Sequence, residues 1–291
     1  MKYRVVHRTR YSYGQPVVLC HNEARMQPRG TERQVCRVST VAIEPDPAQR
    51  AEREDFFGNR VLYFAVQEPH EQLTVTASSE VEVASPVPVE LERSAAWDAA
   101  RDGPALEDDQ AGRTVRQFLL DSECAAAFAD AARYAGPSFP PGRPLLAAVR
   151  DLTSRIHREF RFDPLSTTVA TPVAEVLERR HGVCQDFAHL AISALRSLGF
   201  AARYVSGYVE TVAPPGEPRL DGSDASHAWF AVYAPDCGWV DFDPTNDCVP
   251  DERYVTTAWG RDYADVAPLK GVIFGGGAHS LEVAVDVARC E

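Results

Sequence analysis

An α+β fold is predicted by three features of the 291-residue chain. Short runs with a side-chain period of two fill the first 84 residues. Apolar positions at helical spacing dominate the middle, and two apolar runs joined by a tight turn follow. Strands gathered at one end and helices in the middle indicate an α+β architecture. The expected division is an N-terminal antiparallel β-sandwich over 1–84, a linker over 85–110, a core with preceding helices over 111–270, and a C-terminal strand or tail over 271–291.

The elements follow in order. Tyr3, Val5, Thr9, Tyr11 and Tyr13 alternate with Arg4, Arg8 and Arg10, the period of a strand. A second run covers Val35 to Ile43 and stops at Pro45 and Pro47. Asp55-Phe56-Phe57-Gly58-Asn59 supplies a turn before the run Val61 to Val66. Leu73, Val75, Ala77, Val81 and Val83 then alternate with Thr74, Thr76, Glu80 and Glu82. Pro86, Pro88, Pro104 and the charges Glu107-Asp108-Asp109 mark the linker. Ala-rich helices are predicted over Thr114–Leu120 and Ser122–Tyr134. Leu145, Val149, Leu152 and Ile156 give an amphipathic helix ending near Phe160, and Thr171-Pro172 opens another that runs to Gly182. Phe187, Leu190, Ala191, Ala194, Leu195 and Leu198 define the next helix, which Gly199 stops and Cys184 opens. A strand over Ala201–Glu210 and a polar loop over 211–223, read as a rim or lid, lead to strands Ser226–Tyr233 and Trp239–Asp243. These two are close enough to be antiparallel neighbours.

Composition excludes several classes. With 30 basic against 42 acidic residues, the net charge of −12 argues against a nucleic-acid partner, which needs a basic face. No apolar run approaches a membrane span, and the charged stretch Met1-Lys2-Tyr3-Arg4 is unlike a signal peptide, so the expected compartment is the cytosol. Seven cysteines, an odd number with no CxxC pair, argue against a disulfide framework. Cys237, Cys248 and His227 lack the close ligand pairs of a zinc site, so neither metal nor cofactor is expected. His21 beside Cys20 is the one suggestive pair in the N-terminal region and carries little weight.

Cys184 carries the functional reading. Unpaired N–H groups and the helix dipole favour an anion at a helix N-terminus, and a thiol placed there ionises more readily. A lone cysteine in an apolar helix is usually just a small buried hydrophobe, so the reading depends on partners. His227 opens one strand of the hairpin and Asp243 closes the other, which lets folding set them side by side. A nucleophile, an imidazole that accepts and returns its proton, and a carboxylate that orients the imidazole are what nucleophilic catalysis requires. Asp241 shares a strand face with Asp243 and is its rival; the position before Pro244 favours Asp243.

At these residues a resemblance becomes specific. Gly182-Val183-Cys184-Gln185-Asp186-Phe187-Ala188-His189-Leu190, Ser226-His227-Ala228-Trp229 and Trp239-Val240-Asp241-Phe242-Asp243-Pro244-Thr245-Asn246 resemble the three core motifs of the bacterial transglutaminase-like superfamily. That likeness covers about 145–260. The N-terminal β region with Asp55-Phe56-Phe57-Gly58-Asn59 resembles the domain that precedes the core in many bacterial members. The resemblance implies a papain-like α+β core with Cys184 as nucleophile, His227 as general base and acid, and Asp243 as orienting carboxylate. Bacterial members of this architecture are commonly described as cysteine protease candidates.

The expected activity is thiol-dependent hydrolysis of a peptide or protein amide through a thioester, with the Cys184 N–H as oxyanion donor. Transfer of the acyl group to an amine, as in a transglutaminase, and a non-catalytic binding module are the alternatives. No membrane partner is expected, and the sequence is silent on oligomeric state. Asp186 reads as complementing the helix dipole, His189 as packing or surface, and Trp229 and Trp239 as core or groove wall. His181 is near but has no assigned role, and the other six cysteines are read as structural.

Overall fold

The computed structural model describes residues 1–102, 110–211 and 226–290. Its N-terminal part is organised on β1 (Lys2–Ala24), whose 23 residues contact four other strands, all antiparallel. Residues 3–12 of β1 pair with β5 (His70–Val83) along one edge and β13 (His279–Arg289) along the other. Residues 20–24 pair with β4 (Arg60–Val66) and β12 (Leu269–Gly275). The register against β5 slips between Ser12 and Val17, where Pro16 has no N–H to offer the ladder. β2 (Gln34–Glu44) extends the sheet beside β5, and β3 (Gln49–Glu54) beside β4. One apolar cluster takes Val17 and Cys20 from β1, Val41 and Ile43 from β2, Leu62 and Phe64 from β4, and Leu73 and Val75 from β5. The seven strands form one half-barrel sheet, and this cluster packs between four of them.

In the stretch 271–291, read as a strand or tail, β12 and β13 complete the N-terminal sheet, and Val285 and Val287 are fully buried. Pairing between Tyr3 and Arg289 has no local signature in the sequence. The wholly exposed and polar β3 also escapes a search for apolar alternation.

In the second part, α6 (Cys184–Ser197) is the central element, with Phe187, Leu190, Ala191, Ala194 and Leu195 all buried. Against it pack α3 (Ala129–Ala135), α4 (Leu145–Glu159) and α5 (Val173–Arg179). Its other side lies on a four-stranded antiparallel sheet ordered β10 (Gly238–Phe242), β9 (Ser226–Ala234), β8 (Ala202–Val209), β11 (Tyr254–Gly260). Strand alternation sorts the residues. Ala228, Phe230, Val232, Val240 and Phe242 join the α6 core, whereas Trp229 and Ala231 enter a separate cluster on the opposite face.

The linker is more ordered than its prolines suggest. Between 85 and 102 it forms a 3-10 turn at Leu91–Arg93 and α1 (Trp97–Asp102), and the Trp97 ring meets Phe139 and Phe200 edge-on. Helix α2 (Gln110–Arg116) follows the remainder of the linker. The helix expected over Ser122–Tyr134 shrinks to Ala129–Ala135, because tertiary contacts hold the chain ahead of it. The buried Arg196 guanidinium donates to Phe118 O, Ser122 Oγ and Ala125 O, and Cys124 N–H donates to Asp262. These bonds outweigh helix propensity. Most of the loop expected over 211–223 lies outside the described residues.

The two parts share an apolar seam of Tyr3, Val5, Val81, Val83, Val285 and Val287 against Tyr208 and Val255. Polar side chains finish the edge of β11. Gln34 donates to Thr256 O at 2.7 Å and accepts from Thr256 N–H at 2.8 Å. Asn59 does the same to Trp259, at 2.8 and 2.9 Å. Two amides thus stand in for a neighbouring strand on an otherwise open edge. The Asp55–Asn59 turn is therefore a docking element: Asp55 accepts from Phe57 N–H, Asn59 N–H and the Asn59 side chain, and Gly58 takes the positive φ of 72°.

Candidate active site

The approach to Cys184 is tightly specified. α5 ends at Arg180 in a left-handed conformation, and β7 (His181–Gly182) pairs in parallel with β6 (Arg161–Phe162). A Cβ at Gly182 would stand 2.7 Å from Asp186 Oδ2, so glycine leaves room for Asp186 to fold back over the helix start. The Asp186 carboxylate accepts from Val183 N–H at 2.8 Å and from the Thr167 hydroxyl at 2.6 Å. This is half of a capping box. Burial nevertheless raises the pKa of Asp186 above the usual carboxylate value. Cys184 is the first helical residue, half-buried, with an amide that has no intrahelical acceptor.

His227 and Asp243 meet as the hairpin predicts. His227 Nε2 lies 2.7 Å from Asp243 Oδ2. Asp243 is fully buried and continues β10 through paired backbone bonds with Cys248. Its carboxylate is saturated: Oδ1 accepts from Thr245 N–H at 2.8 Å and Asn246 N–H at 3.2 Å, while Oδ2 also accepts from Asn246 Nδ2 at 2.7 Å and Tyr254 OH at 2.8 Å. Burial pushes the Asp243 pKa up, but these donors and the His227 charge outweigh it and hold the pKa below the usual range.

The imidazole also lies near enough to Cys184 for the thiol to bear on its charge. With Nε2 committed to Asp243, Nδ1 is the nitrogen left for sulfur. Burial alone would lower the His227 pKa; bonds to Asp243 and Cys184 and their charges raise it to about 10. One side of the ring stacks on Trp229 at 6.1 Å. Folding therefore brings the imidazole onto its carboxylate and near the thiol, although Cys184 and Asp243 lie far apart in the sequence. The arrangement can generate a thiolate, hold the resulting imidazolium and offer an amide N–H to an oxyanion.

The remaining candidates fall elsewhere. Asp241 is directed at Arg203 and Trp229 rather than His227, which resolves the rivalry on the strand. His189 is buried and accepts from Tyr263 N–H at 3.1 Å, and burial lowers its pKa to about 4. His181 lies in β7. Trp229 is fully buried, so it is core and not a platform; Trp239 lines a cleft on the same sheet face. His21 pairs with the Tyr63 hydroxyl at 2.7 Å and not with a thiol. Sequence reasoning missed Tyr254 and Asn246. Asn246 sits in the quoted third motif, so its place was visible though its role was not; nothing local marks Tyr254.

The chain is similar to several known proteins. Residues 3–82 match the bacterial transglutaminase-like N-terminal region, and residues 140–244 the transglutaminase-like superfamily. An uncharacterised protein of Mycobacterium tuberculosis is 45% identical over 299 residues, spanning 100% of this chain and 93% of that protein. A Mycobacterium leprae protein, also uncharacterised, is 36% identical and covers 98% of each chain. A protein-glutamine gamma-glutamyltransferase of Pseudomonas aeruginosa is 28% identical over 137 residues, 43% of this chain and 20% of that protein. The crystal structure of a "Putative Cysteine Protease" from Cytophaga hutchinsonii superposes with a TM-score of 0.76 at 22% identity, covering 100% of this chain and 92% of that one.

Proposed function

From the premise that the chain belongs to the bacterial transglutaminase-like superfamily, we propose that it is a thiol-dependent amide hydrolase acting on a peptide or protein. The observation that carries this is the His227–Asp243 pair at 2.7 Å, with Cys184 at the start of α6 bearing on the same imidazole. His227 takes the Cys184 proton, and the thiolate attacks the amide carbon. The oxyanion develops against the Cys184 N–H at the start of α6. The imidazolium, held by Asp243, gives its proton to the leaving amine as the C–N bond breaks. Water, deprotonated by His227, then attacks the thioester, releasing the carboxylic acid and restoring the thiol. Hydrolysis is the default outcome because water is abundant and an amine must be selected.

Acyl transfer to an amine is the second reading, favoured by the partial likeness to the Pseudomonas aeruginosa gamma-glutamyltransferase. One experiment separates the two. Wild type and Cys184→Ala are incubated with a mixed peptide library and, separately, with a glutamine-containing peptide plus a labelled primary amine. Hydrolysis predicts new peptide termini or released ammonia with no label incorporated, all lost in Cys184→Ala. Label incorporation would replace hydrolysis by transfer. Product formation that persists in a folded Cys184→Ala protein would refute both.

A further inference from the structure

A second cleft lies on the face of the four-stranded sheet away from α6, where the N-terminal part meets it. It encloses about 720 Å³ and is walled by Phe57, Phe118, Trp239 and Trp259, with Arg203 and Asp241 facing into it. The Arg203 guanidinium is clamped between two indoles, 4.4 Å from the Trp239 ring centre and 3.9 Å from that of Trp259. Such a clamp fixes the plane of the fork. Behind Trp259 stands Arg29, 3.2 Å from the same ring.

The polar groups of this cleft are unfinished. Arg203 Nε is buried and has no hydrogen-bond partner, nor does the buried Trp229 Nε1. Among the described residues, no carboxylate reaches ion-pair distance of Arg203. Asp241 interacts with Arg203 only across a gap, and Trp229 Nε1 points at Asp241 without closing on it. A half-buried guanidinium and carboxylate that line one cleft without forming an ion pair leave part of their hydrogen-bonding capacity open to a ligand. A molecule carrying a carboxylate for Arg203 and an ammonium for Asp241 would satisfy both, and its side chain would meet Phe57 and Phe118.

We propose that this cleft binds a small zwitterion of the α-amino-acid type, its carboxylate on Arg203, its ammonium on Asp241 and an apolar side chain against the aromatic wall. The cleft is distinct from the thiol site, being set apart by the fully buried Trp229 that stacks on His227. The proposal does not depend on the hydrolase reading.

Isothermal titration of the full chain bearing Cys184→Ala, with L-phenylalanine as probe, tests it. Saturable binding at one site per chain is expected. N-acetyl-L-phenylalanine, which lacks the ammonium, and L-phenylalanine amide, which lacks the carboxylate, should each bind at least about tenfold more weakly. The isosteric Asp241→Asn should abolish the preference for the free amine, and Arg203→Lys the preference for the free carboxylate. Circular dichroism of each variant checks that it folds. Absence of saturable heat up to about 10 mM ligand would overturn the proposal, as would equal binding of the acetylated probe or an unaltered affinity in a folded Asp241→Asn protein.

Discussion

At the scale of single residues, the site depends on how thoroughly Asp243 is held. Its second oxygen serves His227, Asn246 and Tyr254 together, so Tyr254 positions the carboxylate that positions the imidazole. Tyr254→Phe removes one bond to a buried charge while keeping the ring packed on Trp229. It should lower kcat/KM for amide cleavage by about tenfold with little change in KM. The pH dependence has a definite sign. The His227 pKa rises from 6.5 to about 10 on folding, so its contribution to stability is full below pH 6.5 and is lost as pH rises through about 10. The Asp243 pKa is lowered below 3.8, so its contribution is present above pH 3.8 and is lost as pH falls through that lower value. Denaturant unfolding of wild type and Asp243→Asn should therefore show the largest stability gap between pH 3.8 and 6.5, narrowing toward pH 10. A gap that widens on the alkaline side would mean that the imidazolium is not what Asp243 stabilises.

Among elements, the start of α6 and the edge of β11 matter most. Gly182→Ala would push a methyl group into Asp186 and displace the cap that fixes the first helical turn. It should cost about 1–2 kcal/mol of stability and a larger share of activity, read from thermal unfolding and turnover on the same preparation. Asn59→Ala leaves the Trp259 N–H and C=O without partners at a buried edge. A loss of about 2–3 kcal/mol in denaturant unfolding is expected. The legibility of these elements in the sequence divides along the same line. Helix α6, its cysteine at the first position, and the His227–Asp243 hairpin were readable because apolar spacing, a helix stop and a tight turn are local signals. Asp55–Asn59 read only as a turn, since its function is to pair with a strand 200 positions away. Tyr254 was unreadable for the same reason, and the helix expected at 122–128 was lost to Arg196, another distant contact.

For the whole molecule, the ends of the chain are joined in one sheet, which the linear pattern did not disclose. β13 buries Val285 and Val287 against Tyr3 and Val5, and that cluster continues to Tyr208 and Val255 beneath the second sheet. Ending the chain at Pro268 would strip both strands from β1 and open its edge. Such a protein should aggregate or melt at a clearly lower temperature than the full chain, measured by light scattering during a thermal ramp. An unchanged transition would show that the second part does not lean on the completed half-barrel.

The contact between sulfur and imidazole is tested most directly by the rate at which each cysteine reacts with iodoacetamide at neutral pH, followed by peptide mass mapping. The account predicts that Cys184 is modified at least about tenfold faster than each of the other six, and that His227→Ala removes the advantage. Equal rates for Cys184 and the exposed Cys237 and Cys290, or a Cys184 rate indifferent to the loss of His227, would contradict it.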